Sequence, residues 1–264
     1  MNSLIRLHKI LSGVGINLVR ILNIRYLPWY IKNYIIFKKK NFYFHDSLNY
    51  SNYFFPALGE HKELSGSLTG HYFSQDLIVA SYIYKSKPIK HVDIGSRIDG
   101  FVAHVASFRK IEVLDIRSNA IRHKNIIFKK KDIMSVGSKL NNYCDSLSCL
   151  HTLEHFGLGR YGDKIDPHGH LKGFDNLIRI LKPNGKLYLS FPISNNNKVF
   201  FNSERTFNPK EILKWIDRKN YKLKIIKFDY IDDNERIYLN ADINSSRLKN
   251  INYGCGIYTI KKYF

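Results

Sequence analysis

The sequence predicts an α/β protein built on a doubly wound parallel sheet. Three observations carry the prediction. From residue 89 onward, short apolar runs of strand length alternate with stretches of helical periodicity, the pattern of strands joined by crossover helices. Successive runs end in, or lead into, a carboxylate at Asp93, Asp115 and Asp132. And 264 residues, 44% hydrophobic and 24% charged, suffice to bury a full core in one such domain with extensions, or in two small ones.

The chain opens on a distinct segment. Residues 1–40 hold eight basic residues and no acid. Leu4, Leu7, Ile10, Leu11, Val14, Leu18, Ile21 and Leu22 recur at three-to-four spacing and so share one helical face. Pro28 interrupts the pattern. Trp29 to Phe37, closed by Lys38-Lys39-Lys40, then combines aromatics and lysines as a helix lying on an anionic bilayer does. The alternative is a helix packed on the protein's own core with a basic outer face. The expected division is a basic amphipathic helical extension over 1–40, an aromatic loop-rich segment over 41–75 punctuated by Pro56, Gly59, Gly66 and Gly70, and the main domain over 76–264.

Within that domain, residues 76–84 read as a short helix, with Asp76 as its N-cap or as part of a lid. His91 to Ile94 is a strand ending at Gly95, and residues 100–108 are helical. Ile111 to Ile116 is the second strand, 125–128 the third, running into Asp132, and Ser146 to Leu150 the fourth. A helix over 171–181 has Leu177, Ile178 and Leu181 on one face and is closed by Pro183-Asn184-Gly185. Lys186 to Ile193 is the fifth strand, 209–219 a helix, and 222–231 and 255–263 two late strands.

The charge is lopsided: 42 Lys+Arg against 22 Asp+Glu, or +20. This excludes an acidic nucleic-acid mimic or a calcium buffer. It leaves either the lysine-rich composition that an AT-rich genome encodes by default, or attraction to anionic lipid, polyanions or phosphorylated substrates. Nucleic acid is not the expected partner, because the chain has no RNA-binding aromatic signature and no separate RNA module. Cys144, Cys149 and Cys255 form no CxxC and no even framework, which fits a reduced, cytoplasmic compartment without a zinc ribbon. No uncharged apolar run reaches the roughly 18 residues of a membrane span. No small-residue cleavage site follows an apolar core at the N-terminus, so no secretory signal is expected.

The chemistry concentrates in two places. In Val92-Asp93-Ile94-Gly95-Ser96-Arg97-Ile98-Asp99-Gly100 a strand ends in a carboxylate, turns through glycine and opens a helix. In open α/β sheets ligands bind beyond the carboxyl ends of the strands. Gly95 lets backbone approach a ligand closely, and the helix N-terminus adds a positive dipole. Asp115, 22 residues after Asp93, is placed to accept both hydroxyls of a ribose, and Asp132 to meet an exocyclic amine. Arg97 and Asp99 stand where a dinucleotide loop would need bare backbone for a pyrophosphate. A cofactor without phosphates suits this turn better. S-adenosylmethionine combines adenine, ribose and a zwitterionic tail, whose ammonium an acid would match and whose carboxylate Arg97 would match.

Asp93-x-Gly95, Asp115, Asp132, Leu150-His151-Thr152-Leu153-Glu154-His155 and Leu181-Lys182-Pro183-Asn184-Gly185-Lys186-Leu187 resemble the successive motifs of the class I S-adenosylmethionine-dependent methyltransferases, over about residues 72–264. More narrowly, His71-Tyr72-Phe73-x-Gln75-Asp76-Leu77, the Asp93–Gly100 turn and Glu154 to Asp163 resemble a little-characterised methyltransferase-like group of bacteria and nematodes. The resemblance implies a Rossmann-like sheet finished by antiparallel strands, and the basic helical extension of residues 1–40 precedes the region it covers. Its cofactor would be S-adenosyl-L-methionine, held by Asp93, Gly95, Ser96, Arg97, Gly100, Asp115, Ile116, Asp132 and Ile133. Bacterial members of the group often accompany surface-polysaccharide genes, which implies a sugar or glycan acceptor. The loss of glycine at Arg97 and Asp99 departs from the family pattern and also permits a non-catalytic relative, a scaffold in a membrane-associated polysaccharide assembly complex.

The second place is the crossover after the fourth strand. His151, Glu154, His155, Arg160, Tyr161, Asp163, Asp166, His168 and His170 crowd together there, on what would be the acceptor side. Methyl transfer to a hydroxyl needs the oxygen aligned and its proton removed, and histidine is poised for that near neutral pH. His155 is the first candidate base and His151 the second, with Glu154 orienting an imidazole and Asp163 a spare base. Arg160, Tyr161, His168 and Arg205 are candidate contacts to an acceptor, Arg160 with a phosphate or carboxylate. No metal is expected, although the Asp163, Asp166, His168, His170 string has ligand chemistry.

Overall fold

The computed structural model describes residue 11 and residues 15–43, 55–63, 70–120, 123–219 and 221–264. Leu4, Leu7, Ile10 and Val14 of the expected amphipathic face, and Gly66, lie outside the described residues. The chain divides into two compact units, Met1–Ser67 and Leu68–Phe264.

In the first unit, α1 (Leu18–Leu22) runs through a 3-10 turn, Asn23–Tyr26, into α2 (Leu27–Tyr43). Pro28 opens α2 and does not break it, because an N–H in the first helical turn has no intrahelical acceptor to lose. His61 pins the turn. Its ring lies flat on Trp29 with centroids 4.0 Å apart, and meets the edge of Tyr26 at 4.9 Å. The Asn23 amide donates to the Leu58 carbonyl at 3.1 Å. Among the described side chains of α2, the large apolar ones that are exposed are Trp29, Ile31, Ile35, Ile36 and Phe37. At roughly 100° per residue they fall on two sides of the helix, so α2 is not a single-striped amphipath. Among the described residues no helix is long and apolar enough to cross a membrane.

The second unit begins with α3 (His71–Ser86), then β1 (His91–Ile94), a π-helical turn (Ile98–Val102), α4 (Ala103–Ala106), β2 (Ile111–Asp115), β3 (Ile126–Lys130) and β4 (Cys144–Leu150). It continues with α5 (Gly169–Ile180), β5 (Leu181–Ile193), a small hairpin of β6 (Lys198–Phe200) and β7 (Glu204–Thr206), α6 (Glu211–Asp217), β8 (Leu223–Ile231), β9 (Ile237–Tyr238) and β10 (Gly254–Lys262). Among the described residues the main sheet has eight strands in the order β3-β2-β1-β4-β5-β10-β8-β9. The first five are parallel, and β10 lies antiparallel between β5 and β8. The central strands are buried on both faces, as a doubly wound sheet requires. Phe174, Leu177 and Trp215 of α5 and α6 cover one face, and Val79, Ile83 and Val105 of α3 and α4 the other. Each large apolar side chain so buried contributes about 1.5–3 kcal/mol.

Two boundaries differ from expectation. The helix before β1 starts at His71, with Gly70 at φ 86° as its cap residue. Asp76 is therefore interior to the helix and buried, not an N-cap. β5 starts at Leu181, opposite Cys144, and Ser146 pairs next with Lys186. Pro183-Asn184-Gly185 is thus a bulge within the strand, with Asn184 at φ 63°, and not a turn before it.

The order of strands reverses around β1, where β2 runs to one side and β4 to the other. That switch point opens a crevice beyond the carboxyl ends of the strands.

Candidate functional site

The crevice is walled by the segments that follow β1, β2, β3 and β4, and its cavity volume is about 50 Å³. Of the expected cofactor residues, Gly95, Asp115, Ile116, Asp132 and Ile133 line it. Gly95 has φ 68°, and a Cβ on it would stand 2.5 Å from Thr152 Cγ2, so only glycine fits. Asp132 caps a 3-10 turn: its carboxylate accepts from Met134 N at 2.8 Å and from Ser135 Oγ at 3.1 Å.

Asp93, Ser96, Arg97 and Gly100 build the loop and do not face the crevice. The buried Asp93 carboxylate accepts from Ser96 N at 3.0 Å, Ser96 Oγ at 2.7 Å and Ser148 Oγ at 2.5 Å. Burial nevertheless pushes it up to about 6. It shapes the turn and has no oxygen aimed at an ammonium group. Arg97 is paired with Asp99 in an exposed, two-pronged ion pair, 3.1 and 2.8 Å, instead of waiting for a carboxylate. Gly100 is needed for packing, because a Cβ there would meet Asp76 Oδ2 at 2.7 Å.

Arg117 was not anticipated. It clamps Asp115 from its own strand end, Nε to Oδ1 at 3.0 Å and Nη2 to Oδ2 at 2.6 Å, while its backbone N–H adds a third bond at 2.8 Å. Its guanidinium lies over the Tyr161 ring at 4.5 Å, and both residues line the crevice. The signal in the sequence was a base two residues after the strand-end acid.

The crossover after β4 places one carboxylate between two imidazoles. Glu154 is fully buried, and burial pushes it up to about 7. Its Oε1 accepts from His151 Nδ1 at 3.0 Å, and its Oε2 has no hydrogen-bond partner among the described residues. With Glu154 ionised, His151, at φ 46°, carries its proton on Nδ1, and its buried Nε2 is likewise unpartnered. Burial pushes this ring down to about 4, so it is neutral. His155 donates from Nδ1 to the Ser203 carbonyl at 2.7 Å, which leaves Nε2 as an acceptor, 3.8 Å from Glu154 Oε1. Its pKa is also lowered by burial. Arg160 donates to the same carbonyl at 3.1 Å, and Tyr161 presents its edge to His155. Ser203, in the turn between β6 and β7, was not foreseen, because that hairpin was not read from the sequence.

Three expected site residues have other work. Asp163 lines the crevice, but its carboxylate accepts from the backbone N–H groups of Gly157 (2.7 Å), Gly159 (3.3 Å) and Tyr161 (3.3 Å), so it holds the loop and is not a free base. Arg205 is buried and donates to the carbonyls of Glu154, Phe156 and Pro167 at 3.1, 2.7 and 3.2 Å; it clasps the crossover and reaches no acceptor. His168 is exposed at the start of α5 and does not line the crevice. The Asp163-to-His170 string does not converge on a cation: Asp166 pairs with Lys172, and His170 packs against Phe207 and Trp215.

A family profile described as "Caenorhabditis protein of unknown function, DUF268" matches residues 100–217. No curated protein matches the sequence. Among solved structures, the (4+2)-cyclase SpnF is similar with 13% identity over 71% of this chain and 81% of its own, at a TM-score of 0.52. A 1,6-didemethyltoxoflavin-N1-methyltransferase from Burkholderia thailandensis, with its substrate and S-adenosylhomocysteine bound, is similar with 11% identity over 73% of this chain and 80% of its own, at 0.51. The N-methyltransferase NodS from Bradyrhizobium japonicum, in complex with S-adenosylhomocysteine, is 13% identical over 72% of this chain and 85% of its own, at 0.47. One architecture serves a cyclase and a methyltransferase, so the reaction has to be argued from the site.

Proposed function

We propose, from the premise that the chain has the fold of the class I methyltransferases, that it is an S-adenosylmethionine-dependent O-methyltransferase acting on a hydroxyl of a sugar or glycan precursor in surface-polysaccharide synthesis. One observation carries the reading: Gly95, Asp115, Ile116, Asp132 and Ile133 face a single crevice at the switch point, with His155 on its other wall. The residues fit the cofactor. Leu114, Ile116, Ile133 and Met134 offer apolar surface to an adenine, each Asp132 oxygen accepts a single intramolecular bond and keeps capacity for an amine, and Gly95 leaves room for close approach. Bound there, the cofactor supplies an electrophilic methyl group.

The chain's own part is to position the acceptor and take its proton. The Ser203 carbonyl fixes the proton of His155 on Nδ1, so Nε2 presents a lone pair. Arg160, exposed beside it, suits a phosphate on the acceptor. To free Asp115 for a ribose, the Arg117 side chain has to swing off it toward solvent. The eight basic residues of 1–40, with exposed Trp29 and Phe37, support a role for this segment on the anionic inner membrane face.

Isothermal titration with S-adenosylmethionine tests the reading. The wild type is expected to bind, Asp115→Ala to lose binding, and Arg117→Ala to bind at least as tightly as wild type. His155→Ala should keep binding and lose about 10²–10⁴-fold in turnover. A second reading, a non-catalytic scaffold, is favoured by the ready-made Asp115–Arg117 pair, and a wild type that does not bind the cofactor selects it.

A further inference from the structure

Beside the crevice, three distant stretches of chain meet. His71 at the start of α3, His151 after β4 and Cys255 in β10 each bring one ligand atom to within 4.8 Å of the others. We propose that these three residues form a binding site for a divalent transition metal, zinc in the first instance, with one coordination position open toward the crevice.

The three donors are already prepared. His151 donates from Nδ1 to Glu154 at 3.0 Å, which fixes its tautomer and leaves Nε2 buried and without a partner. A carboxylate behind a histidine in this way is the arrangement that orients a metal-binding imidazole and raises its basicity. The His71 ring stacks between His151 and Tyr253, with centroids 5.7 and 5.4 Å away. Cys255 is fully buried, and its Sγ has only long contacts, 3.5 Å to Gln75 Oε1 and 3.9 Å to the Gly256 carbonyl.

Charge and softness agree. Binding releases the Cys255 thiol proton, and any proton on Glu154, to solvent. The dication on one thiolate and two neutral imidazoles then carries a net +1, and the buried Glu154 carboxylate supplies the opposite charge. A nitrogen, nitrogen, sulfur set suits zinc and not magnesium or calcium. Metal–ligand bonds of about 2.0–2.3 Å put ligand atoms about 3.5 Å apart, so the trio has to close by roughly 1 Å. His71, half-buried at a helix start, is the least buried of the three. Three protein ligands leave a fourth position, as in catalytic zinc sites, and His151 also lines the crevice. The assignment gives the two histidines different tasks, His151 to the metal and His155 to the proton.

The test is a titration of the full chain, stripped with a chelator and free of S-adenosylmethionine, with cobalt(II). The expected result is one equivalent bound, with visible d–d bands of a low-symmetry site and a near-ultraviolet thiolate charge-transfer band, displaced by zinc. Cys255→Ser should lose the charge-transfer band. His71→Gln should weaken binding at least tenfold, and Glu154→Gln by about 10–100-fold with the band retained. No thiolate band in the wild type overturns the proposal, as does a band that survives Cys255→Ser or an affinity untouched by His71→Gln. If Cys255→Ser does not fold, His71→Gln at the helix start decides. Because no cofactor is present, failure here leaves the crevice reading intact, and the reverse also holds.

Discussion

His91 sits between two serines, with Nδ1 2.8 Å from Ser146 Oγ and Nε2 3.2 Å from Ser148 Oγ, and burial pushes it down to about 3. Burial likewise pushes His71, His151 and His170 down to about 4. In the unfolded chain each takes a proton near pH 6.5. As pH falls from 6.5 toward 4 the unfolded state binds protons that the folded state refuses, so stability falls. Asp93, raised to about 6, and Glu154, raised to about 7, act in the opposite sense: their contribution is complete at low pH and is lost as pH rises through those values. The lowered histidines, His155 among them, outnumber the raised acids, Asp76 among them, and the net expectation is weaker folding at pH 5 than at pH 6.5. His170 isolates one of them, since its ring packs on Phe207 and Trp215 outside the crevice. His170→Phe should reduce the slope of unfolding free energy against pH in this window by up to about 1.4 kcal/mol per unit, measured by urea denaturation; an unchanged slope would sink the idea. Arg205 makes a sharper case. Arg205→Met strands the carbonyls of Glu154, Phe156 and Pro167 and should cost about 2–4 kcal/mol of stability. The sequence offers it as an acceptor contact. Only its burial, at 3% exposure, gives it to the scaffold.

At the scale of elements, the strands that end in acids were legible because pattern and chemistry lie within a few neighbouring residues: Asp93, Asp115 and Asp132 stand at or just beyond β1, β2 and β3. The start of α3 was missed because Gly70 brings no capping side chain, and β6 and β7 because three-residue strands carry no periodicity. The loop after β4 is the most constrained segment of the site. Gly157 has φ +77°, and a Cβ on it would lie 2.0 Å from the Asp166 carbonyl. Gly157→Ala is expected to lose about 1–2 kcal/mol to the left-handed backbone alone, with the collision added, and to displace Asp163 and His155 with it. Thermal melts and cofactor titration of this variant should both change. A variant with wild-type stability and binding would show that the loop does not organise the site.

At the scale of the molecule, the +20 charge divides unevenly, with the acid-free residues 1–40 the densest part. If that segment meets anionic lipid, the full chain should sediment with vesicles containing phosphatidylserine and not with neutral ones. Binding should fall with added salt, and Lys38→Glu, Lys39→Glu and Lys40→Glu together should abolish it. Salt-independent binding, or binding that survives the triple change, would refute the electrostatic reading. The sequence by itself determined the doubly wound α/β class, the acid-ended strands along the chain and the place of the crevice, because these follow from local periodicity and from the binding of ligands beyond the carboxyl ends of such strands. It also named Gly95, Asp115, Ile116, Asp132, Ile133, His151 and His155, all of which line that crevice. Only the tertiary structure decided what each polar group has left to offer. Asp93 and Asp163 are used up on local donors, Arg117 holds Asp115, and His71 and Cys255 arrive beside His151 from opposite ends of the domain. A side chain's chemistry is written in the sequence, but its unused hydrogen-bonding capacity depends on neighbours that no local spacing reveals.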